Sequence, residues 1–336
     1  PIAPNLAPLL NSTEDEPYLM SNTVTEFSIL DTGTGKVDSY YYDTTKPGSE
    51  VVKFDSFDIQ KDAGYSLEEN DVLSKLGSYA TGESDQNGGV AEIVAYNADN
   101  QKFYTVNGKT KTVDIVSIAN LSADGENQTM TLGRRIDVSG MIEGFTFGDV
   151  TSVAVDTAHD RIAVAAQAEG YNDAGAVLLL DYDGKYLAHY RTGVQPDMVT
   201  FTPDGRYVLT ADEGEPRRGY GEGAADPKGS VTVVDLEAET PAAKTVTFDA
   251  WDARRDELTA NHVLLKTGLA PSADLEPEYI AVSPDGRTAY VSLQEANAIA
   301  FLDLEAGQFT SIVSLGFKDH RTAGNELDAV KDKKID

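Results

Sequence analysis

Radially stacked, four-stranded antiparallel sheets are the fold that the sequence predicts, and three observations predict it. Four consecutive segments repeat one order of short strands. The connection between the first two strands of each segment is a polar turn of explicit chemistry. The chain also has no cysteine and no apolar run long enough to span a bilayer, which removes disulfide frameworks and transmembrane bundles from consideration.

The first strands of the repeat are AEIVAYN (91–97), SVAVD (152–156), MVTFTP (198–203) and YIAVSP (279–284). The second are KFYTVNG (102–108), RIAVAAQ (161–167), RYVLTADE (206–213) and TAYVSLQE (288–295). The third are TVDIVSI (112–118), AVLLLDY (176–182), VTVVDL (231–236) and IAFLDL (299–304). A more polar fourth strand follows each: RRIDV, YLAHY, KTVTF and FTSIVSL. These runs are rich in Val, Ile, Tyr and Phe and either alternate or are apolar throughout, as half-buried and buried strands do. Two of the turns read Pro203-Asp204-Gly205-Arg206 and Pro284-Asp285-Gly286-Arg287. There Pro presets φ, Asp bonds back to its own backbone, and Gly takes the positive φ that closes the turn. Asn97 to Asn100 and Asp156 to Asp160 serve the other two segments without proline.

A tandem four-stranded meander cannot bury both of its faces alone, so neighbouring sheets must stack around an axis as the blades of a β-propeller. The expected fold is therefore all-β, a propeller of four-stranded antiparallel blades. Four clear blades make it an incomplete part of a ring of about seven. Residues 1–75 fit the repeat poorly. They are expected to form an N-terminal arm and a β-rich lead segment, either an extra blade or a hairpin at the side. Residues 76–336 hold the blades, with insertions at 213–229 and 237–275.

The 27 basic and 56 acidic residues leave a net charge of −29. Such a chain repels nucleic acid, and nothing in it predicts membrane insertion. The four histidines are isolated in sequence, so the usual zinc-hydrolase spacings are missing. No G-x-S-x-G element is present either, so no catalytic residue is assigned.

The positions just before the first strands are Glu92, Ser152, Asp197 and Glu278, and by repeat they should converge near the axis. Like charges held close raise one another's pKa unless a cation sits among them, and Ca²⁺ with oxygen ligands is the expected cofactor. Asp212, Glu213 and Glu215 join the expected metal-binding set, because they lie where the second strand leaves its sheet for a long loop. Asn107, Gln167 and Glu295 end the second strands of other blades, and with Arg217 and Tyr220 they form the expected ligand-binding set.

The strings GVQPDMVTFTPDGRYVLTADEGEPRRGYGEG (193–223) and DPKGSVTVVDL (226–236) resemble the core of the choice-of-anchor I proteins. These are secreted bacterial β-propellers related to the mesenchyme-specific cell surface glycoprotein. GGVAEIVAYNADNQKFYTVNG (88–108), LEPEYIAVSPDGRTAYVSLQEANAIAFLDL (275–304) and LGFKDHRTAGNELDA (315–329) follow in the family's order. The resemblance implies export, often with an anchoring signal at the far end, and a chain that continues past the GFKDH element. It implies an alkaline phosphatase-like or phytase-like label for some members. The expected function is a secreted or cell-surface module for binding or assembly, stabilised by a divalent cation. Its expected partners are an extracellular ligand or the segments that complete the ring. The alternative is a calcium-dependent phosphoesterase.

Overall fold

The computed structural model describes the backbone of residues 24–31, 36–43 and 52–58. From residue 76 onward it describes all but 84–89, 92, 123–124, 126–127, 217–225 and 323–336. The chain divides into two compact units, Pro1–Lys75 and Leu76–Asp336. In the first, β1 (Val24–Asp31), β2 (Lys36–Asp43) and β3 (Val52–Asp58) form a three-stranded antiparallel sheet in sequence order.

The second unit contains four four-stranded antiparallel sheets. The first comprises β5 (Val94–Asn97), β6 (Lys102–Asn107), β7 (Thr112–Ser117) and β9 (Thr131–Asp137). Between its last two strands, β8 (Gln128–Thr129) pairs in parallel with β4 (Gly77–Ser78). The second sheet is β10 (Phe147–Asp156), β11 (Arg161–Ala168), β12 (Ala174–Asp181) and β13 (Tyr186–Val194). The third is β14 (Pro196–Phe201), β15 (Tyr207–Asp212), β16 (Ser230–Asp235) and β17 (Ala243–Thr247). The fourth is β18 (Pro277–Val282), β19 (Thr288–Leu293), β20 (Ala298–Asp303) and β21 (Gln308–Ser314). Every sheet is a meander in sequence order, and β5, β10, β14 and β18 pack successively against one another as the innermost strands. Among the described residues no comparable contact returns from β18 to β5, so the four blades form an open arc.

Register explains how the blades stack. Ala163, Ala165, Val177 and Leu179 on one face of the second sheet bury Val199, Val208 and Val234 of the third. The equivalent face of the third sheet, Leu209, Ala211, Val231, Val233 and Val246, buries Ile280, Ala289 and Leu302 of the fourth. In the fourth sheet the same positions are Tyr290, Ser292, Ile299, Phe301 and Val313, and Val313 is 50% exposed. Among the described residues, an interface repeated along the arc thus stops at this partly exposed face.

The insertion after β17 folds as a 3₁₀ helix (Asp249–Arg254) followed by α1 (Arg255–Ala260) and α2 (Pro271–Asp274). Trp251, Leu258, Val263 and Leu275 anchor it to the core shared by the third and fourth sheets.

The hairpin tips also interlock. Asp156 accepts hydrogen bonds from the Arg161 Nε (2.8 Å) and the Ala158 backbone N–H (3.0 Å), and its carboxylate lies 2.9 Å from His159 Nδ1. Arg161 Nη2 donates to the Gly205 carbonyl in the next blade (2.7 Å). Gly205 has φ +71°, and a Cβ there would fall 2.5 Å from Asp156 Oδ2 and from His159 Nδ1. Gly205→Ala therefore meets both a backbone penalty and a clash, and a loss of about 1–3 kcal/mol is expected in urea unfolding. An unchanged midpoint would show that the two tips do not touch in solution.

Candidate functional site

The inner ends of the blades are shaped by β-bulges. In the second sheet Val150 pairs with Ala166 and Ser152 with Ala165, which leaves Thr151 as the extra residue. The third and fourth sheets repeat the irregularity, leaving Asp197 between Pro196 and Met198, and Glu278 between Pro277 and Tyr279. A bulge re-aims a side chain out of the pleat, and bulges recur beside functional sites for that reason. The residue equivalent to the two acids is therefore Thr151. The expected equivalence of Ser152 is corrected by one position, because the extra residue shifts the frame. Ser152 is buried, and its Oγ accepts the Val199 N–H (3.2 Å). Thr151 Oγ1 donates to the Pro196 carbonyl of the next blade (2.6 Å).

Burial pushes the Glu278 carboxyl above its usual range, and the charges of Glu295, Asp197, Glu276 and Glu215 push it further in the same direction. Gln167, buried in β11, places its Nε2 3.5 Å from Asp197 Oδ1. Among the described residues, the insertion brings a cation to these acids. Lys266 Nζ lies 3.4 Å from Asp274 Oδ1 and 3.1 Å from Glu276 Oε1. Burial raises Glu276 despite that lysine, and burial likewise raises Asp226. Among the described residues, no three acidic or histidine side chains converge closely enough to hold a metal ion as they stand.

The remaining expected residues have different surroundings. Asp212 is fully buried in the wall of the third sheet. Its Oδ1 accepts Thr210 Oγ1 (2.7 Å), and its Oδ2 accepts Thr232 Oγ1 (2.6 Å), Ser230 Oγ (3.0 Å) and the Gly193 N–H (3.0 Å). Protein donors thus occupy both oxygens, and this carboxyl joins the last strand of one blade to the body of the next. Glu213 is half-buried, with its backbone N–H on the Gln195 carbonyl (2.9 Å), and Glu215 is exposed. Asn107 is buried, and its Oδ1 accepts the Thr110 N–H (3.1 Å) in the turn after β6. Glu295 is exposed and lines a cavity with Leu264, Leu265, Lys266 and Asp274. Glu92, Arg217 and Tyr220 lie outside the described residues.

The sequence reading missed Gln195, Glu276, Lys266 and Asp274. Gln195 is 3% exposed, and neither its side-chain oxygen nor its nitrogen has a hydrogen-bond partner. A signal for the first two was available: Gln195-Pro196 and Glu276-Pro277 precede Asp197 and Glu278 in one frame. Lys266 and Asp274 carried none, because only the folding of the insertion brings them to this end of the blades.

Residues 92–336 match the choice-of-anchor I domain. The chain belongs to the choice-of-anchor I family. No curated protein matches its sequence. Solved structures similar to this family member include the β-propeller domain of Cps50 (Swd1) from Myceliophthora thermophila. That likeness has 13% identity and a TM-score of 0.43, and covers 68% of this chain and 56% of the other. Hydrazine synthase from Kuenenia stuttgartiensis is similar at 11% identity and a TM-score of 0.38, over 85% of each chain. A functionally unknown protein from Desulfotomaculum acetoxidans is similar at 14% identity and a TM-score of 0.39, over 85% of this chain and 65% of that one. No described helix is long and apolar enough to cross a membrane.

Proposed function

We propose that this choice-of-anchor I chain is the propeller module of a secreted or cell-surface protein, and that it binds through the acidic inner end of its blades with a divalent cation as stabiliser. One observation carries the reading. The Glu278 carboxyl is half-buried and opposed by the charges of Glu295, Asp197, Glu276 and Glu215. Repulsion of that kind is relieved by a cation. Asp197 and Glu278, both re-aimed by bulges, are the carboxylates best placed to share it. Among the described residues no three acids converge, so the ion would keep part of its water shell, as Mg²⁺ and Ca²⁺ commonly do. Family membership supports the surface location, and the charge of −29 suits a protein exposed to salt.

Calorimetric titration of the full chain with Ca²⁺, and thermal unfolding with and without it, test the proposal. Saturating Ca²⁺ is expected to raise the melting temperature, by about 2.7 kcal/mol of stability at a hundred times Kd. Asp197→Asn with Glu278→Gln is expected to remove most of that gain. Equal stabilisation of the variant would defeat the assignment. A generic phosphomonoester with Ca²⁺ is expected to remain unhydrolysed, and turnover lost in the same variant would establish the phosphoesterase instead.

A further inference from the structure

A cavity of a different kind lies where the first sheet meets the turn between β12 and β13. It is lined by Lys102 of β6, Ile115 and Ser117 of β7, Gly133 and Arg134 of β9, and Asp183 of the turn. It is open, with an empty volume of about 510 Å³. Register builds it. Lys102 pairs with Ser117 and Ile115 pairs with Arg134, so strand alternation puts all four on one face. The β7–β9 pairing skips Gly133, and a glycine at a bulge often marks a place where another group approaches closely. Arg134 sets the chemistry. The chain has 27 basic residues against 56 acidic ones, yet Arg134 has no ion pair among the described residues. Its Nη1 donates to the Asp183 carbonyl at 2.6 Å, which holds the guanidinium by one end. The Nε–Nη2 edge has no hydrogen-bond partner among the described residues. In the adjacent Arg135 that same edge grips the Asp114 carboxylate, Nε to Oδ1 and Nη2 to Oδ2. Lys102 Nζ lies 3.4 Å from Asp183 Oδ1, and the Asp183 side chain is 77% exposed, so this pair is weak.

We infer that this cavity binds a small organic molecule through a singly charged carboxylate. The carboxylate lies along the Nε–Nη2 edge of Arg134, since a planar carboxylate matches a guanidinium edge in two parallel bonds. Lys102 adds its charge. Ser117 Oγ accepts the Ala119 N–H at 3.3 Å, and its own proton, without an acceptor among the described residues, is available to the ligand. The carbon skeleton rests against Ile115, the buried apolar residue of the lining. Two bases and one acid leave a single positive charge at the cavity, in a chain of −29, which disfavours a doubly charged anion. An acidic sugar and a short fatty acid both carry the required group. The inference shares no residue with the cation reading and stands apart from it.

The test titrates the full chain with glucuronate, pentanoate, sulfate and, as neutral control, pentanamide, all at constant ionic strength. Calorimetry gives the affinity, and nuclear magnetic resonance follows the Arg134 Nε–H signal, assigned by its loss in Arg134→Lys. A saturable shift of that signal with a carboxylate, and none with pentanamide, is expected. Arg134 is exposed, so Arg134→Lys spares the core; it keeps the charge, loses the fork and should weaken binding by about fivefold or more. Asp183→Asn keeps the backbone carbonyl, removes the competing carboxylate and should tighten binding. Tighter binding of glucuronate would assign the ligand to the acidic sugars, and tighter binding of pentanoate to the fatty acids. An absence of saturation, an equal response to pentanamide or a preference for sulfate would overturn the inference. So would an unchanged affinity in Arg134→Lys, or a weaker one in Asp183→Asn.

Discussion

Replacing Arg135 by methionine should destabilise the Leu76–Asp336 unit by about 3 kcal/mol, a large effect for one partly exposed side chain. Asp114 in β7 is completely buried. Arg135 of β9 meets it in two parallel bonds, Nε to Oδ1 at 2.7 Å and Nη2 to Oδ2 at 2.8 Å. Tyr79 donates its hydroxyl to the same carboxylate at 2.6 Å, and Arg135 also donates to the Thr81 carbonyl at 3.0 Å. The segment before β5 is thereby strapped across the first sheet. Without the arginine the carboxylate stays buried with the tyrosine as its remaining side-chain donor, and an unpaired buried charge is what makes such a deletion costly. Urea unfolding followed by circular dichroism measures the loss. The double variant Arg135→Met with Asp114→Leu should recover much of it, because an apolar pair needs no partner. A single variant as stable as the parent would mean that Asp114 is hydrated in solution.

The second large effect is a pH dependence of unusual sign. Burial pushes the Asp212 carboxyl up to about 6, against an ordinary 3.8, even though four donors hold its oxygens. The folded state therefore binds this proton more readily than the unfolded chain does. The contribution of Asp212 to stability is fully present below pH ~4 and is lost as pH rises to ~6, about 3 kcal/mol in all. Most paired carboxylates act in the opposite direction. Asp212→Asn removes the titration, so the stability of the parent relative to this variant should improve as pH falls from 7.5 to 4.5. Taking the difference cancels the other acids. A difference that stays flat, or that moves towards the variant at low pH, would contradict the burial of this group. Asp212→Ala should be worse than Asp212→Asn at every pH, since it strands Thr210, Ser230, Thr232 and the Gly193 N–H together.

Most of the arc was legible from residues alone, because strand pairs alternate with a period of two and the turn chemistry is local. TVDIVS, AVLLLD, VTVVD and IAFLD are third strands in the structure as in the repeat. The runs within residues 24–59 are strands as well, in a sheet of three. What the repeat could not fix was the phase at the bulges. One unpaired residue interrupts the alternation, and alignment by apolar pattern put Ser152 where Thr151 belongs. Asp212 shows a second limit. From sequence it is one more acid at a strand end, and only the pairing of Ser230 with Asp212 across β15 and β16, with Thr210 and Thr232 beside them, reveals a hydroxyl cage. The partners of Glu276 were out of reach because Lys266 and Asp274 come from a helical insertion whose path no repeat constrains.

The open face of the fourth sheet carries one further consequence. Each blade in this arc leans only on its immediate neighbours, so cohesion is passed along like links in a chain rather than held by one common centre. The third blade is gripped from both sides, whereas the fourth presents Tyr290, Phe301 and Val313 with no apolar neighbour on that side among the described residues. Fraying should therefore start at an end of the arc and stop where a sheet is flanked on both sides.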